Sequence, residues 1–199
     1  MRPRSLLIAL VAAALLAPLP ASAAPKPKPK PKPKPLPKAC LLLEDTRGDG
    51  DWNLAPPVKS DNVDIVSADI ATGPTEVVAV LRMAAMNFSN DQWASLGYAW
   101  TFGATAGGAR YEFRLRRTAG GEYIGGGSIG GVGIAGLTPT VVGNDIVWKF
   151  KRKGIAQLAR PNLVFSSFSA ITNILSSTAD DAQSSKSYKD RQPSCVRAL

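Results

Sequence analysis

Apolar and polar residues alternate with a period of two through much of the chain, and this pattern restricts the fold more than any other feature. Segment 98–102 places three aromatic side chains on one face, and segment 110–117 alternates apolar residues with arginine and glutamate. Ile146, Trp148 and Phe150 repeat the pattern. Because successive side chains of a β-strand point to opposite faces, the alternation predicts strands that each bury one face.

Clusters of glycine, proline, asparagine and aspartate separate these segments and set the predicted strand boundaries. We expect strands at 39–43, 64–71, 75–83, 95–103, 110–117, 122–128, 141 or 145 to 150, and 162–174. Helical signals are sparse, apart from one short turn expected within 152–158. Many short strands separated by turn signals predict an all-β fold, an antiparallel β-sandwich of the jelly-roll or immunoglobulin-like kind.

The first 23 residues have the organisation of an export signal. Two arginines precede an apolar run over 6–17, and Ala21-Ser22-Ala23 supplies the small residues that a signal peptidase accepts. The apolar run is shorter than the roughly 20 residues that a membrane-spanning helix needs. We therefore expect cleavage after Ala23 and a secreted or extracellular location, at or near a bacterial cell envelope.

Proline occupies every second position from Pro25 to Pro37, and lysine fills most of the positions between, within residues 24–38. Proline fixes φ and lacks an N–H donor, and the lysines repel one another, so this Pro-Lys tract predicts a stiff, extended linker ahead of a single domain over 39–199. Two interpretations of the tract stay open. It is a solvated spacer, or it is also a cationic arm that contacts anionic envelope polymers or lipid headgroups.

The basicity of the chain lies outside its predicted domain. The sequence has 24 Lys plus Arg against 15 Asp plus Glu, whereas residues 39–199 hold 16 basic and 15 acidic side chains. Recognition of nucleic-acid phosphates needs a basic face, so the nearly neutral domain argues against a nucleic-acid partner.

The chain's two cysteines, Cys40 and Cys195, lie near the two borders of the predicted domain. Exported proteins meet an oxidising environment, so we expect a disulfide between them. In the chain-entropy model a loop of this length stabilises the folded state by about 4 to 5 kcal/mol.

The absence of histidine from the chain excludes several kinds of chemistry. Ser-His and Cys-His nucleophile pairs, the commonest general base and histidine-ligated zinc all need that side chain. The glycine-rich segment 131–136 matches the dinucleotide fingerprint, but the proline-containing segment 137–140 follows where a helix should begin. We therefore expect a non-catalytic protein without a nucleotide cofactor, and a hydrolase ranks third among the functions considered.

The acidic segment 44–51, Glu-Asp-Thr-Arg-Gly-Asp-Gly-Asp, is the strongest candidate metal site in the sequence. Calcium is bound by several carboxylate and carbonyl oxygens, and a glycine-bearing turn lets Asp45, Asp49 and Asp51 converge. Asp61 or Asp64 is a candidate for completing the site. The spacing does not match an EF-hand loop. A calcium site in this segment is therefore one hypothesis, and a solvated acidic turn is the alternative.

Two of the four tryptophans are candidates for ligand contact. Trp52 and Trp93 stand among polar turn residues, whereas Trp100 and Trp148 belong to strongly alternating segments and are predicted to be core. Aromatic rings offer apolar platforms to the C–H faces of sugars, so Trp52 and Trp93 are the predicted glycan contacts.

Most of the segment 41–175 resembles a group of exported bacterial β-sandwich domains. The segments that carry the resemblance are Asp45-Thr-Arg-Gly48-Asp49, Asp64-Ile-Val-Ser-Ala-Asp69-Ile, Glu76-Val-Val-Ala-Val-Leu, Asp145-Ile-Val-Trp-Lys-Phe and Asn162-Leu-Val-Phe-Ser-Ser-Phe-Ser-Ala. They are similar to the DOMON-like and family-9 carbohydrate-binding-module-like domains, which serve as carbohydrate-binding, haem-binding or accessory modules. Haem ligation in such folds uses methionine and histidine, so the lack of histidine argues against haem.

The sequence thus favours an exported, non-catalytic binding or accessory module whose partner is an envelope polysaccharide. A structural or protein-interaction domain, with an envelope protein as its partner, is the alternative.

Overall fold

The computed structural model describes residues 41–52 and 58–191, which form an antiparallel β-sandwich of two large sheets. The predicted signal peptide, the Pro-Lys tract, Cys40 and Cys195 lie outside the described residues. Within those residues, no helix has the length and apolar character needed to cross a membrane.

Short strands make up most of the described chain. They are β1 Leu43–Glu44, β2 Asp51–Trp52, β3 Val58–Lys59, β4 Ile65–Thr72, β5 Glu76–Met83, β6 Tyr98–Ala106, β7 Ala109–Arg117, β8 Tyr123–Ile129, β9 Val132–Gly133, β10 Thr138–Val142, β11 Asp145–Lys151, β12 Val164–Ile174, β13 Ser177–Ser184 and β14 Tyr188–Lys189. A short 3-10 helix, Ala156–Ala159, lies between β11 and β12 and overlaps the helical turn expected from the sequence.

The two sheets are built from strands that are distant in sequence. The first sheet has the order β1-β4-β5-β11-β10, and the second has the order β13-β12-β6-β7-β8-β9, with β14 also pairing with β12. Strands β2 and β3 form a separate antiparallel pair. The prediction of an all-β antiparallel sandwich is confirmed.

Aromatic side chains fill the space between the sheets. Phe113 of β7 lies 6.0 Å from the ring of Trp148 and 5.8 Å from that of Phe150, both on β11 of the other sheet. The indole N–H of Trp148 donates to the carbonyl of Arg114 over 3.1 Å, and that of Trp100 donates to Asn62 over 3.0 Å. Both tryptophans are 0% exposed, so their prediction as core residues is confirmed.

The glycine-rich segment forms a tight hairpin. Strands β8 and β9 are joined by Gly130 and Gly131, whose φ angles are 58° and 84°. Two-residue hairpin loops commonly need positive φ at both positions, which glycine adopts without a steric penalty. The segment 131–136 that resembles a dinucleotide fingerprint therefore contains the second glycine of this hairpin, strand β9 and a turn, and β10 follows it.

Strand β13 is an element that the alternation did not indicate. Its sequence, Ser-Thr-Ala-Asp-Asp-Ala-Gln-Ser, contains no aromatic or large aliphatic residue. It becomes a strand because it pairs along β12, with a register shift between Thr172 and Asn173. Its buried positions are filled by two small alanines, Ala179 and Ala182, and by Asp180.

Candidate functional site

Three carboxylates from two distant parts of the chain meet beside strands β1, β4 and β13. Asp45 directly follows β1, Asp49 lies in the loop between β1 and β2, and Asp180 lies in β13. One carboxylate oxygen from each of the three residues lies within 4.8 Å of the other two. We call these three residues the acidic cluster.

Backbone hydrogen bonds fix the acidic cluster to the start of β4. The N–H of Asp45 donates to the carbonyl of Val66 over 3.1 Å. The N–H of Gly48 donates to Asp64 Oδ2 over 2.9 Å, and the N–H of Ile65 donates to Asp180 Oδ2 over 2.7 Å. The loop that carries Asp45 and Asp49 is thus held against the residue that precedes β4.

Gly50 allows this loop to approach Asp64 closely. A Cβ atom added to Gly50 would lie 2.6 Å from Asp64 Cα and 2.8 Å from Asp64 Cβ, closer than van der Waals contact permits. The glycine is therefore needed for space, and the loop packs its backbone directly onto Asp64.

The carboxylates of this region repel one another. Burial raises the pKa of Asp180 to about 6, the hydrogen bond from the N–H of Ile65 opposes this shift, and the charges of Asp45, Asp49 and Asp64 add to it. Burial also raises the pKa of Asp45, and the charges of Asp49, Asp64 and Asp181 add to this, although a hydrogen bond from Thr46 opposes it. Two oxygens, Asp45 Oδ2 and Asp64 Oδ1, are buried without a hydrogen-bond partner among the described residues. The region thus holds more negative charge and more acceptor oxygens than the surrounding protein groups satisfy.

The structure brings together two of the three metal ligands predicted from the sequence. Asp45 and Asp49 belong to the acidic cluster, whereas Asp51 lies in β2 opposite Lys59 and is not part of that group. Asp180 takes the third place, and Asp64 lies beside the cluster. Asp61 is exposed and lines a different feature, the groove described next.

A polar groove of about 430 Å³ lies next to the loop that connects β5 and β6. We call it the Trp93 groove. Amide, carboxylate, hydroxyl and ammonium groups surround its single aromatic residue: the lining residues are Lys59, Ser60, Asp61, Asn62, Ala85, Asn87, Asn90, Asp91, Gln92 and Trp93.

Asn62 and Asp91 form the hydrogen bonds that connect the walls of the groove. Asn62 is 5% exposed, and its side-chain amide donates to the carbonyl of Asn87 over 2.9 Å and to Asp91 Oδ2 over 2.7 Å. Asp91 also accepts from the hydroxyl of Tyr98 over 2.6 Å and from the N–H of Trp93 over 2.8 Å. Burial, together with the neighbouring charge of Asp91, raises the pKa of Tyr98, so this hydroxyl stays a donor. These hydrogen bonds connect the β5–β6 loop to Asn62 and to Tyr98 of β6.

The predicted glycan contacts differ in what the structure describes. Trp93 lines the groove, and its side chain is half-buried and packs partly against the core. The backbone of Trp52 lies in β2, paired with Val58, and its side chain is not among the described parts of the structure. Asn62, Asp91 and Asn87 are groove residues that the sequence did not single out, because only tertiary pairing brings residue 62 to the β5–β6 loop.

Lys59 connects the groove to the acidic loop. It lines the Trp93 groove, and its Nζ donates to the carbonyl of Gly48 over 2.7 Å. Gly48 is also the residue whose N–H binds Asp64. The acidic cluster and the groove are therefore neighbours that share one loop.

A second cavity, of about 720 Å³, is more apolar and carries basic groups. Its lining residues are Pro74, Thr75, Glu76, Lys151, Arg152, Lys153, Gly154, Ile155, Ala156, Leu158, Ala159 and Arg191. The side chain of Arg152 is 6% exposed and pairs with Asp190. We call this cavity the Arg152 cavity.

No protein-family model matches the chain, and a search of the curated proteins found no significant match.

Proposed function

We propose that this chain is an exported, non-catalytic binding module at or near the bacterial cell envelope, and that its ligand is a glycan bound in the Trp93 groove. A sugar presents apolar C–H faces as well as many hydroxyl groups, so its site needs an apolar surface beside fixed donors and acceptors. The Trp93 groove combines a half-buried indole with amide, carboxylate and ammonium groups. This combination is the observation that carries the proposal.

The internal hydrogen bonds of the groove also support binding. Asn62 and Asp91 hold the β5–β6 loop through contacts with the backbone of Asn87 and Trp93. Association loses free energy when loops and side chains must become ordered, and a loop that is already fixed reduces that loss. The exposed Asn90 and Gln92 at the groove remain accessible to ligand hydroxyl groups.

The sequence supports the location and the ligand class. The leader over 1–23 and the Pro-Lys tract over 24–38 are typical of an exported domain held on a spacer. The resemblance to family-9 carbohydrate-binding-module-like domains agrees with a glycan ligand on a β-sandwich.

The test is retention of the chain on insoluble envelope polysaccharides, followed by calorimetric titration with soluble fragments of any polysaccharide that retains it. Trp93→Ala and Gln92→Ala should each weaken binding, with Trp93→Ala at least tenfold weaker because it removes the apolar platform. Lys153→Ala, in the Arg152 cavity, is the matched control and should bind as the wild type does. Retention on no glycan would reject the proposal, and loss of binding in Lys153→Ala alone would move the site to the Arg152 cavity.

A protein partner is the second candidate function, and a specific observation favours it. Tyr123, Ile124, Val132 and Val142 are large apolar residues, all exposed, on or beside strands β8, β9 and β10. Exposed apolar side chains that lie together often mark protein-interaction surfaces, and Tyr123 and Ile124 are consecutive residues of β8. Ile124→Asp should abolish capture of an envelope protein partner while leaving glycan retention unchanged, so the two functions are separable in one pair of assays.

The Pro-Lys tract gives an independent test of envelope association. If its lysines contact anionic polymers or lipids, deletion of residues 24–38 should weaken envelope association, and the loss should shrink as salt screens the wild-type contact. The melting temperature should stay nearly unchanged. If the wild type and the deletion variant associate equally with the envelope at low salt, the tract acts only as a spacer.

A further inference from the structure

We infer that Asp45, Asp49 and Asp180 bind a divalent cation, with Ca²⁺ preferred, and that Asp64 contributes to the same site. This inference goes beyond the proposed glycan function and does not depend on it. It also differs from the ligand set expected from the sequence, because Asp180 replaces Asp51.

The spacing of the three carboxylates suits one ion. Calcium–oxygen distances are about 2.3 to 2.6 Å, so two oxygens on one ion lie at most about 5 Å apart. The three carboxylate oxygens of the acidic cluster lie within 4.8 Å of one another. Each carboxylate offers a second oxygen, and calcium accepts bidentate carboxylates, backbone carbonyls and water as further ligands.

Asp64 is the independent sign that a cation belongs here. Its side chain is 2% exposed, and its Oδ1 has no hydrogen-bond partner among the described residues. The N–H of Gly48, in the loop between Asp45 and Asp49, donates to Asp64 Oδ2 over 2.9 Å, and the N–H of the next residue, Ile65, donates to Asp180 Oδ2 over 2.7 Å, so Asp64 lies beside the cluster. A buried carboxylate oxygen without a donor is strongly unfavourable, and a bound cation would remove that penalty.

The origin of the carboxylates argues against a simple solvated turn. Asp45 and Asp49 come from the loop after β1, but Asp180 comes from β13 in the other sheet. Asp180 is held there by the N–H of Ile65, at a sequence separation of 115 residues. Mutual repulsion makes such a grouping of carboxylates unfavourable, and a bound cation would relieve it. Oxygen ligands without nitrogen or sulfur favour Ca²⁺ or Mg²⁺ over transition metals, and the number of carboxylate and backbone carbonyl oxygens in this loop favours Ca²⁺, which takes six to eight oxygens.

A cation at this position would connect three elements of the fold. It would join the β1–β2 loop to β13 and to the residue before β4. Through Gly48, whose carbonyl binds Lys59, it would also steady one wall of the Trp93 groove.

The test measures the binding of Ca²⁺ alone to the metal-free full chain, by calorimetric titration and by melting curves in chelator and in CaCl₂. Binding to the folded state should raise the melting temperature by roughly 5 to 11 °C at about 100 times the dissociation constant. Asp180→Asn and the exposed Asp49→Asn should each weaken Ca²⁺ binding at least tenfold. Asp51→Asn, in the same region and outside the acidic cluster, is the matched control and should bind Ca²⁺ as the wild type does.

If Asp180→Asn folds poorly because Asp180 is buried, Asp49→Asn still tests the site, because Asp49 is exposed. No calorimetric heat and no shift of the wild-type melting temperature with Ca²⁺ would overturn the inference. An equal shift with NaCl at matched ionic strength would also overturn it, since the effect would then be charge screening. Loss of binding in Asp51→Asn with full binding in Asp180→Asn would overturn the ligand set.

Discussion

Asp180 accepts a hydrogen bond from the backbone N–H of Ile65 over 2.7 Å, and this contact joins β13 of one sheet to β4 of the other. The same carboxylate lies in the acidic cluster with Asp45 and Asp49. One side chain thus connects the two sheets and also adds to the local negative charge. The hydrogen bond and the charge of Asp180 should therefore have separate effects on stability.

Substitutions of Asp180 should separate its hydrogen bond from its charge. Asp180→Ala removes the acceptor of a buried N–H and should lower the free energy of unfolding by about 1 to 3 kcal/mol in chelator. Asp180→Asn keeps an oxygen acceptor and relieves the repulsion, so it should be less destabilised or even stabilised under the same conditions. Urea denaturation of both variants in chelator measures the difference, and equal destabilisation of the two would contradict it.

The difference between β13 and its neighbours shows what the sequence predicts and what it does not. Strands β6, β7 and β11 carry strict alternation of large apolar residues, so their positions and the burial of Trp100 and Trp148 are predictable. Strand β13 carries alanine, serine, threonine and aspartate, whose own strand preference is weak, and pairing with β12 determines its structure.

Each candidate site also combines residues that the sequence predicts with residues that only tertiary pairing brings in. Asp45 and Asp49 are close in sequence and around a glycine, so their convergence is predictable. Asp180 reaches them only because β13 lies beside β4 and β1, and nothing near residue 180 indicates that neighbour. Asn62 and Asp91 are also brought together by tertiary contacts alone, so the groove is predictable at Trp93 but not beneath it.

A methyl group at Gly50 should disturb the acidic loop. The added Cβ of Gly50→Ala would meet the backbone of Asp64 at 2.6 Å, so the loop or β4 must shift. Overpacking of this kind costs about 1 to 3 kcal/mol. Gly126→Ala in β8 is the control, since nothing lies within 4 Å of its added Cβ. The free energies of unfolding from urea titration should differ between the two variants, and equal values would mean that the loop accommodates the methyl group without cost.

The buried pair of Arg152 and Asp190 should make stability depend on pH in the acid range. Burial alone would raise the pKa of Asp190, but hydrogen bonds from Arg152 and Thr72 and the charges of Arg152 and Arg191 lower it below the ordinary 3.8. Because the folded-state pKa is below the unfolded one, this group stabilises the fold above the unfolded pKa, and the contribution is lost as pH falls through the folded pKa.

Unfolding measured between neutral pH and the lowest pH at which the chain folds tests this dependence. The stability difference between the wild type and Asp190→Asn should be largest at neutral pH and should shrink as the pH falls below the ordinary aspartate range. Asp61→Asn, at an exposed position, is the control and should run parallel to the wild type. A difference that stays constant with pH would show that the Asp190 charge contributes nothing.

A carboxylate in place of the Asn62 amide should disrupt the Trp93 groove in a pH-dependent way. Asn62 donates to Asp91 Oδ2 over 2.7 Å, so Asn62→Asp replaces a buried donor with a like charge facing Asp91. The pair would bind a proton more tightly when folded, so the loss of stability should be present at neutral pH and should disappear below the unfolded-state pKa of aspartate. Asn87→Asp is the control for stability alone, because Asn87 lines the groove but is exposed, and its side-chain oxygen accepts from the N–H of Ser89, which an aspartate oxygen also does. Melting temperatures at neutral and acid pH, together with glycan affinity at neutral pH, measure the effect. Retained stability and affinity in Asn62→Asp at neutral pH would mean that the contact between Asn62 and Asp91 does not organise the groove.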